Sequence, residues 1–231
     1  HKILSKTKMC LYAGSLVPKE ILSIVPKEAK LIDTSDLTMK QIEQLYIRAK
    51  ELNVDVARVH SGDVSVYGAL SEQINLLQKH NIDFQIVPGI PAYVEAAAQL
   101  KTELTAPGQV QSVVLTRTSF GSTPMPEGED LKTFAKTGAT LVIHLSIRRL
   151  NYIYRELTPI LGDDALVAVL YRIGWPDQQI ILDRLDNIAS KVREKKITRT
   201  ALIITGKNFK KKSDINSVLY DENFNHLFRP K

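Results

Sequence analysis

The chain reads as an α/β protein made of two α/β domains, and three observations carry that reading. Strand-like and helix-like segments alternate along most of its 231 residues, the pattern of a parallel sheet wrapped by helices. Two segments, His60-Ser-Gly-Asp-Val-Ser-Val-Tyr-Gly68 and Val87-Pro-Gly-Ile-Pro-Ala92, each close an apolar, β-rich run and open a helix-like one. Beyond the Pro-Gly pair in Leu104-Thr-Ala-Pro-Gly108 the strands outnumber the helices, which suits a mixed sheet. The expectation is an N-terminal domain over 1–107 with a mostly parallel sheet and a C-terminal domain over 108–231 with a mixed one. A cleft between two such domains is the default ligand site.

The elements follow in order. Cys10-Leu-Tyr12 and Lys30-Leu-Ile32 are short apolar runs that read as strands. Over 38–52 the apolar residues Met39, Ile42, Leu45, Tyr46 and Ala49 recur at helical spacing. Residues 54–59 read as a strand, 67–79 as a helix, 84–87 as a strand and 93–100 as a helix. After the break, strands are expected at 112–116, 140–145, 165–171, 179–182 and 201–205. Helices are expected at 130–136, 150–161 and 188–195, with a loop over 119–128. No internal repeat or low-complexity segment interrupts this order.

Composition narrows the function. A hydrophobic fraction of 44% and a charged fraction of 24% are ordinary for a soluble globular protein. No apolar run approaches the roughly 18 residues of a membrane span, and the N-terminus lacks the apolar core of a secretory signal. The single cysteine, Cys10, excludes an intrachain disulfide and fits a reducing compartment, so a cytoplasmic protein is expected. Lying in an apolar run, it reads as a small core residue. One Cys and five scattered His give no zinc-ligand spacing, and no protein-bound metal is expected. A net charge of +6 favours anionic partners, either nucleic acid or a small polycarboxylate or phosphate. The run Lys207-Asn-Phe-Lys-Lys-Lys212 is read as a solvated loop, because no RNA-binding signature interleaves aromatics with it.

The two glycine-bearing turns carry the chemistry. Adjacent strand-to-helix turns with small residues at the bend form a crevice at the carboxyl ends of a parallel sheet, where such sheets bind ligands. Their glycines let backbone amides come close to a ligand, and Asp63 sets a carboxylate at the rim. Neither turn matches G-x-G-x-x-G or G-x-x-x-x-G-K-[ST], so the ligand is not gripped mainly through phosphate. Taken alone, Asp63 is also a common turn or cap residue and Tyr67 a common core residue. Arg58 and Arg117 have the guanidinium geometry to pair with carboxylates. His60 and His144 sit in strand-like runs and read as structural.

At this point a resemblance becomes specific. Tyr12-Ala-Gly-Ser-Leu-Val-Pro18, His60-Ser-Gly-Asp63 with Tyr67-Gly68, and Val87-Pro-Gly89 match successive motifs of the tetrapyrrole methylases. Glu103-Leu-Thr-Ala-Pro107, Leu115-Thr-Arg117, Thr123-Pro-Met-Pro-Glu-Gly-Glu129, Trp175-Pro-Asp177 and Leu219-Tyr-Asp-Glu-Asn-Phe-Asn-His-Leu-Phe-Arg229 match segments of the branch that methylates a corrin precursor at C-11. The chain therefore resembles that family nearly end to end. The family's opening strand and Gly-Ala-Gly-Pro-Gly-Asp loop have no counterpart here. Val64 stands where the family usually has proline, and Ser122 roughly where many members have arginine before Thr-Pro.

The resemblance implies the two-domain methylase fold, S-adenosylmethionine as methyl donor with S-adenosylhomocysteine as product, and a polycarboxylate tetrapyrrole as substrate. It further implies a homodimer, with neither nucleic acid nor membrane as partner. Carried over position by position, the cofactor residues are Ser61, Gly62, Asp63, Val66 and Tyr67 from the first turn and Pro91 and Ala92 from the second. Leu145, Gly174 and Ala201 are the expected contributions of the second domain. Tyr12, Ser15, Arg58 and Arg117 are the expected substrate side, and no residue is assigned as a catalytic base. A same-fold methylase with another target, or a non-catalytic binding protein, is the competing expectation.

Overall fold

The computed structural model describes residues 1–119 and 123–209, together with 224, 227 and 229. Ser122, residues 210–212 of the basic run, most of the tail motif at 219–229 and the Ser15 side chain lie outside the described residues. The chain forms two compact units, His1–Ala92 and Tyr93–Lys231. Among the described residues, no helix is long and apolar enough to cross a membrane.

The first unit is built on a three-stranded parallel sheet of β1 (Met9–Tyr12), β2 (Lys30–Asp33) and β3 (Val56–Val59), in the order β2-β1-β3. Helix α1 (Lys19–Leu22) follows β1, α2 (Met39–Glu51) follows β2 and α3 (Leu70–Lys79) follows β3. α2 starts where its sequence dictates. Thr38 accepts from the Gln41 amide while the Gln41 side chain accepts from the Thr38 amide, a capping box that satisfies two otherwise orphaned donors. Its apolar face buries Ile42, Tyr46 and Ala49, and Leu11, Ile42 and Tyr46 centre a core completed by Ile32, Leu45, Val56 and Leu77. Because β2 and β3 flank β1 on opposite sides, the strand order reverses at β1. A crevice for ligand opens outside the carboxyl ends at such a point.

Two local expectations differ from the structure. The helix expected from Tyr67 begins only at Leu70, because Tyr67 and Ala69 adopt left-handed φ values of 55° and 49°. Gly68 between them could not carry a side chain, since a Cβ there would lie 2.2 Å from the Val64 carbonyl oxygen. The chain doubles back before the helix can start. The strand expected at 84–87 is also absent among the described residues, and Phe84, Ile86 and Val87 are 44, 46 and 54% exposed. Apolar, β-branched composition supplies a tendency, but a strand exists only where a neighbour pairs with it.

In the second unit, α4 (Ala92–Leu100), whose first residue closes the first unit, leads to a five-stranded mixed sheet ordered β4-β5-β8-β6-β7. β4 (Val113–Arg117) and β5 (Thr140–His144) are parallel, while β8 (Ala201–Thr205) runs antiparallel to β5 and to β6 (Leu166–Tyr171). β7 (Gln179–Arg184) closes the edge as an antiparallel partner of β6. Helices α5 (Leu131–Lys136), α6 (Leu150–Leu161) and α7 (Ile188–Glu194) complete the unit. Its core gathers Leu141, Ile143, Ile153, Leu157, Val167, Val169, Ile188 and Ile203, all at most 1% exposed. The mixed sheet expected from the density of strands is the one observed.

Candidate functional site

Two strand edges collect the residues that the sequence singled out. In the first unit the parallel register aligns the carboxyl ends of β1, β2 and β3, so Tyr12, Asp33 and Val59 end side by side. The loops that leave these ends carry Gly14 and Ser15, Thr34 and Ser35, and the turn from His60 to Gly68.

Asp63 organises the third of these loops. Its Oδ1 accepts from the Ser65 amide at 2.9 Å and from the Ser65 hydroxyl, while Oδ2 accepts from the Gly89 amide at 2.8 Å. The Ser65 hydroxyl, then the Gly89 and Ser65 amides, hold the carboxyl below its ordinary range. One carboxylate thus ties the 60–68 turn to the 87–92 turn. The backbones meet tightly: a Cβ on Gly89 would sit 2.1 Å from the Gly62 carbonyl oxygen. Gly62 itself has φ of 67°, with Ile90, Pro91 and Ala92 backbone atoms 3.5–3.7 Å from its own Cβ position. Ser61, Gly62, Asp63, Pro91 and Ala92 are therefore brought together, and Val66 follows in the same turn, its amide donating to the Asp63 carbonyl at 3.2 Å. Tyr67 continues it and is 46% exposed.

Asp33 plays the matching part at the end of β2. Its Oδ1 accepts from the amides of Gly14 at 2.9 Å and Ser35 at 2.8 Å. Hydrogen bonds from Ser35, and then from Gly14, lower its pKa. Tyr12 contributes its backbone carbonyl, which accepts from the Thr34 amide and hydroxyl at 2.8 and 2.9 Å. Arg58 points inward: Nη1 donates to the Thr34 hydroxyl at 2.6 Å and Nε to Gln73 Oε1 at 3.2 Å. Burial lowers its pKa. Burial and then the Arg58 charge also lower that of His60.

In the second unit the register places Tyr171 opposite Ala201, and β8 runs back from the end of β5. The carboxyl ends of β4, β5 and β6 and the start of β8 therefore share one edge. That edge carries Arg117, Leu145, Gly174 and Ala201, the residues expected there. Leu145 is unusual in having φ of 54° while its side chain is 72% exposed. A left-handed leucine persists only where the surroundings hold it. Ser146 supplies that hold. Its hydroxyl accepts from the Thr118 amide at 2.8 Å and lies 2.6 Å from the His144 carbonyl, to which it donates. Gly174 has φ of 80° and donates its amide to Gln178 Oε1 at 3.0 Å. Beside it Arg172 stacks on Trp175 at 3.9 Å and pairs with Asp177 at 3.1 Å.

Arg117 donates to the carbonyls of Thr118, Thr123 and Pro124 at 3.1–3.2 Å. It thereby holds the loop beside a depression of about 380 Å³ that Met125, Glu127 and Tyr152 also line. Asp33, Thr34, Gln73 and Ser146 were not among the residues expected at the site. Asp33-Thr-Ser after an apolar run was a legible turn signal. The others act through partners far away in sequence and leave no local sign.

The half-buried His144 gives a pH prediction. Burial pushes its pKa down to about 4 from 6.5. Below pH 6.5 the unfolded chain takes up a proton that the folded chain refuses until about pH 4, so stability falls across that window. After allowance for partial solvent access the loss is about 2 kcal/mol. Denaturant titrations from pH 7 to 4 should fall less steeply in His144→Gln, and equal slopes would remove His144 as the source.

Known proteins resemble this chain along nearly its whole length. Residues 1–189 match the family model described as Tetrapyrrole (Corrin/Porphyrin) Methylases. A precorrin-4 C(11)-methyltransferase of Sinorhizobium sp is 43% identical over 227 residues, spanning 98% of this chain and 90% of that protein. A cobalt-precorrin-4 C(11)-methyltransferase of Methanocaldococcus jannaschii is 38% identical over 99% of this chain and 88% of its own length. A solved cobalt precorrin-4 methyltransferase, a cobalamin biosynthetic enzyme, superposes with a TM-score of 0.87 at 31% identity, covering 91% of this chain and 88% of the other. With a family model that spans most of its length and relatives that match nearly end to end, the chain belongs to the tetrapyrrole methylases.

Proposed function

We propose that this protein is an S-adenosylmethionine-dependent C-methyltransferase that methylates C-11 of precorrin-4 or cobalt-precorrin-4 in cobalamin biosynthesis. The observation that carries the reading is the 43% identity, over 98% of the chain, to a protein named for the metal-free reaction, joined by the 38% identity to one named for the cobalt form.

The turn geometry fits the cofactor's chemistry. Its amine, carboxylate, ribose hydroxyls and adenine need backbone donors and acceptors at close range rather than a phosphate nest. The Gly62–Gly89 approach leaves such backbone uncovered by side chains. In this reading Ser61, Gly62, Asp63, Val66, Tyr67, Pro91 and Ala92 hold the cofactor in the first unit, with Leu145, Gly174 and Ala201 contributing from the second. S-Adenosylmethionine, when bound, supplies an electrophilic methyl group on an excellent leaving group.

The residues of this chain bind, orient and shelter the reactants. Fixing the methyl group in line with the macrocycle carbon supplies most of the rate, and excluding water protects the transfer. Tyr12, Ser15, Arg58 and Arg117 form the proposed substrate side. In this reading Arg58 and Arg117 are the positive charges offered to a polycarboxylate, and each also donates to protein oxygens. The reading includes a homodimeric, cytoplasmic protein.

The test is direct. Incubation with methyl-labelled S-adenosylmethionine and precorrin-4, with and without cobalt, should place label at C-11 by NMR. Label at another carbon, or none despite tight cofactor binding, would overturn the assignment.

A further inference from the structure

Gln73, in the first turn of α3, is only 5% exposed, yet both ends of its amide are engaged. Its Oε1 accepts from the Tyr46 hydroxyl at 2.9 Å and from Arg58 Nε at 3.2 Å. Its Nε2 donates to the carbonyls of Ala69 at 3.1 Å and Gly68 at 3.4 Å. These partners fix which end of the amide faces which way, since two donors can meet only the oxygen and two carbonyls only the nitrogen. The group thus links α2 and β3 to the turn that precedes its own helix.

That turn is strained. Tyr67 and Ala69 are left-handed L residues, and the Val64 carbonyl fills the space where a side chain on Gly68 would go. Such conformations persist only where neighbouring structure over-determines them, and they cluster where a ligand is gripped. The strained residues directly follow the Asp63 clamp, and Val66, whose amide donates to the Asp63 carbonyl, joins the two.

We propose that Gln73 is a positioning residue for S-adenosylmethionine: by clamping the Gly68 and Ala69 carbonyls it holds Val66 and Tyr67 in the shape that receives the cofactor. Tyr46 and Arg58 anchor the clamp from the core side, and Thr34 in turn steadies Arg58. The inference rests on the reading that the Asp63 turn holds the cofactor.

The decisive variant is Gln73→Glu. A carboxylate there still accepts from Tyr46 and Arg58, and the Arg58 charge keeps it ionised, but it cannot donate to the turn. The melting temperature should fall, because one buried carboxylate oxygen then faces the Gly68 and Ala69 carbonyls with no donor between them. Amide exchange over residues 66–70 should accelerate at least tenfold, the Kd for S-adenosylmethionine should rise at least tenfold by calorimetry, and KM for the cofactor should change more than kcat. Should this variant fail to fold, Gln73→Met, which removes the donor with little change in side-chain length, carries the test with the same readouts. Unchanged exchange over 66–70 would overturn the clamp. Faster exchange with an unchanged Kd would overturn its role in binding. A wild-type protein that binds no S-adenosylmethionine would defeat the cofactor reading instead, and the exchange measurement would still judge the clamp.

Discussion

Replacing Gly89 by alanine is expected to lower the melting temperature by about 5–10 °C and to weaken S-adenosylmethionine binding at least tenfold. The added methyl carbon would lie 2.1 Å from the Gly62 carbonyl oxygen and 3.0 Å from its carbon. Both are backbone atoms, so no side chain can swing aside and one of the two turns has to move. Overpacking of this kind costs about 2–3 kcal/mol. The shift also draws the Gly89 amide away from Asp63, undoing the bond that holds the two turns together. Gly128→Ala is the control. It has φ of 81° and nothing within 4 Å of its Cβ position, so it carries only the conformational cost of about 1 kcal/mol. Scanning calorimetry and titration calorimetry on both variants separate the effects. A Gly89→Ala protein no worse than Gly128→Ala would show that the turns do not depend on their close approach.

The second large effect is expected at Asp63. Its two oxygens serve the Ser65 amide, the Ser65 hydroxyl and the Gly89 amide. Asp63→Ala releases all three at once, so the 60–68 and 87–92 turns lose their shared acceptor. Misplacing a reactant by about 1 Å can cost roughly 100-fold in rate, and a drop in turnover of that order is expected, with weaker cofactor binding. The fold should survive, because the carboxylate is a surface group whose bonds are local to the turns. Asp63→Asn keeps one acceptor oxygen and should fall between the two. The hydrogen bonds that depress the Asp63 pKa keep the clamp ionised at and above the usual carboxylate range, so near neutral pH the wild-type affinity should not vary through this group. Unchanged cofactor affinity in Asp63→Ala would remove the residue from the site.

Local chemistry made much of the fold legible. The helical spacing of Ile42, Tyr46 and Ala49 needed no tertiary information, and neither did the apolar strands 140–144 and 201–205. The crowding of strands past residue 108 was enough to indicate a mixed sheet. Legibility ended where one segment's conformation depends on a distant one. The 84–87 run has the composition of a strand but no paired neighbour among the described residues. The helix after Gly68 starts late because Tyr67 and Ala69 take left-handed backbone conformations. Asp63 could be marked as a rim carboxylate from its motif. That it spends its oxygens on Ser65 and Gly89 could not be read, since the second partner lies 26 residues away.

The sequence by itself determined the α/β class, the order of the main elements, the family and the two turns around Asp63 and Gly89. Those properties arise from spacing, glycine placement and short motifs, all local in the chain. Only the tertiary structure decided how the turns are held. Gln73 reads as an ordinary helix residue until Tyr46, Arg58 and the Gly68 and Ala69 carbonyls of the strained turn converge on it, and Ser146 is unremarkable until Thr118 reaches it from the end of the neighbouring strand. Hydrogen bonds between residues far apart in sequence depend on how strands and helices pack, and a one-dimensional pattern carries no record of that packing.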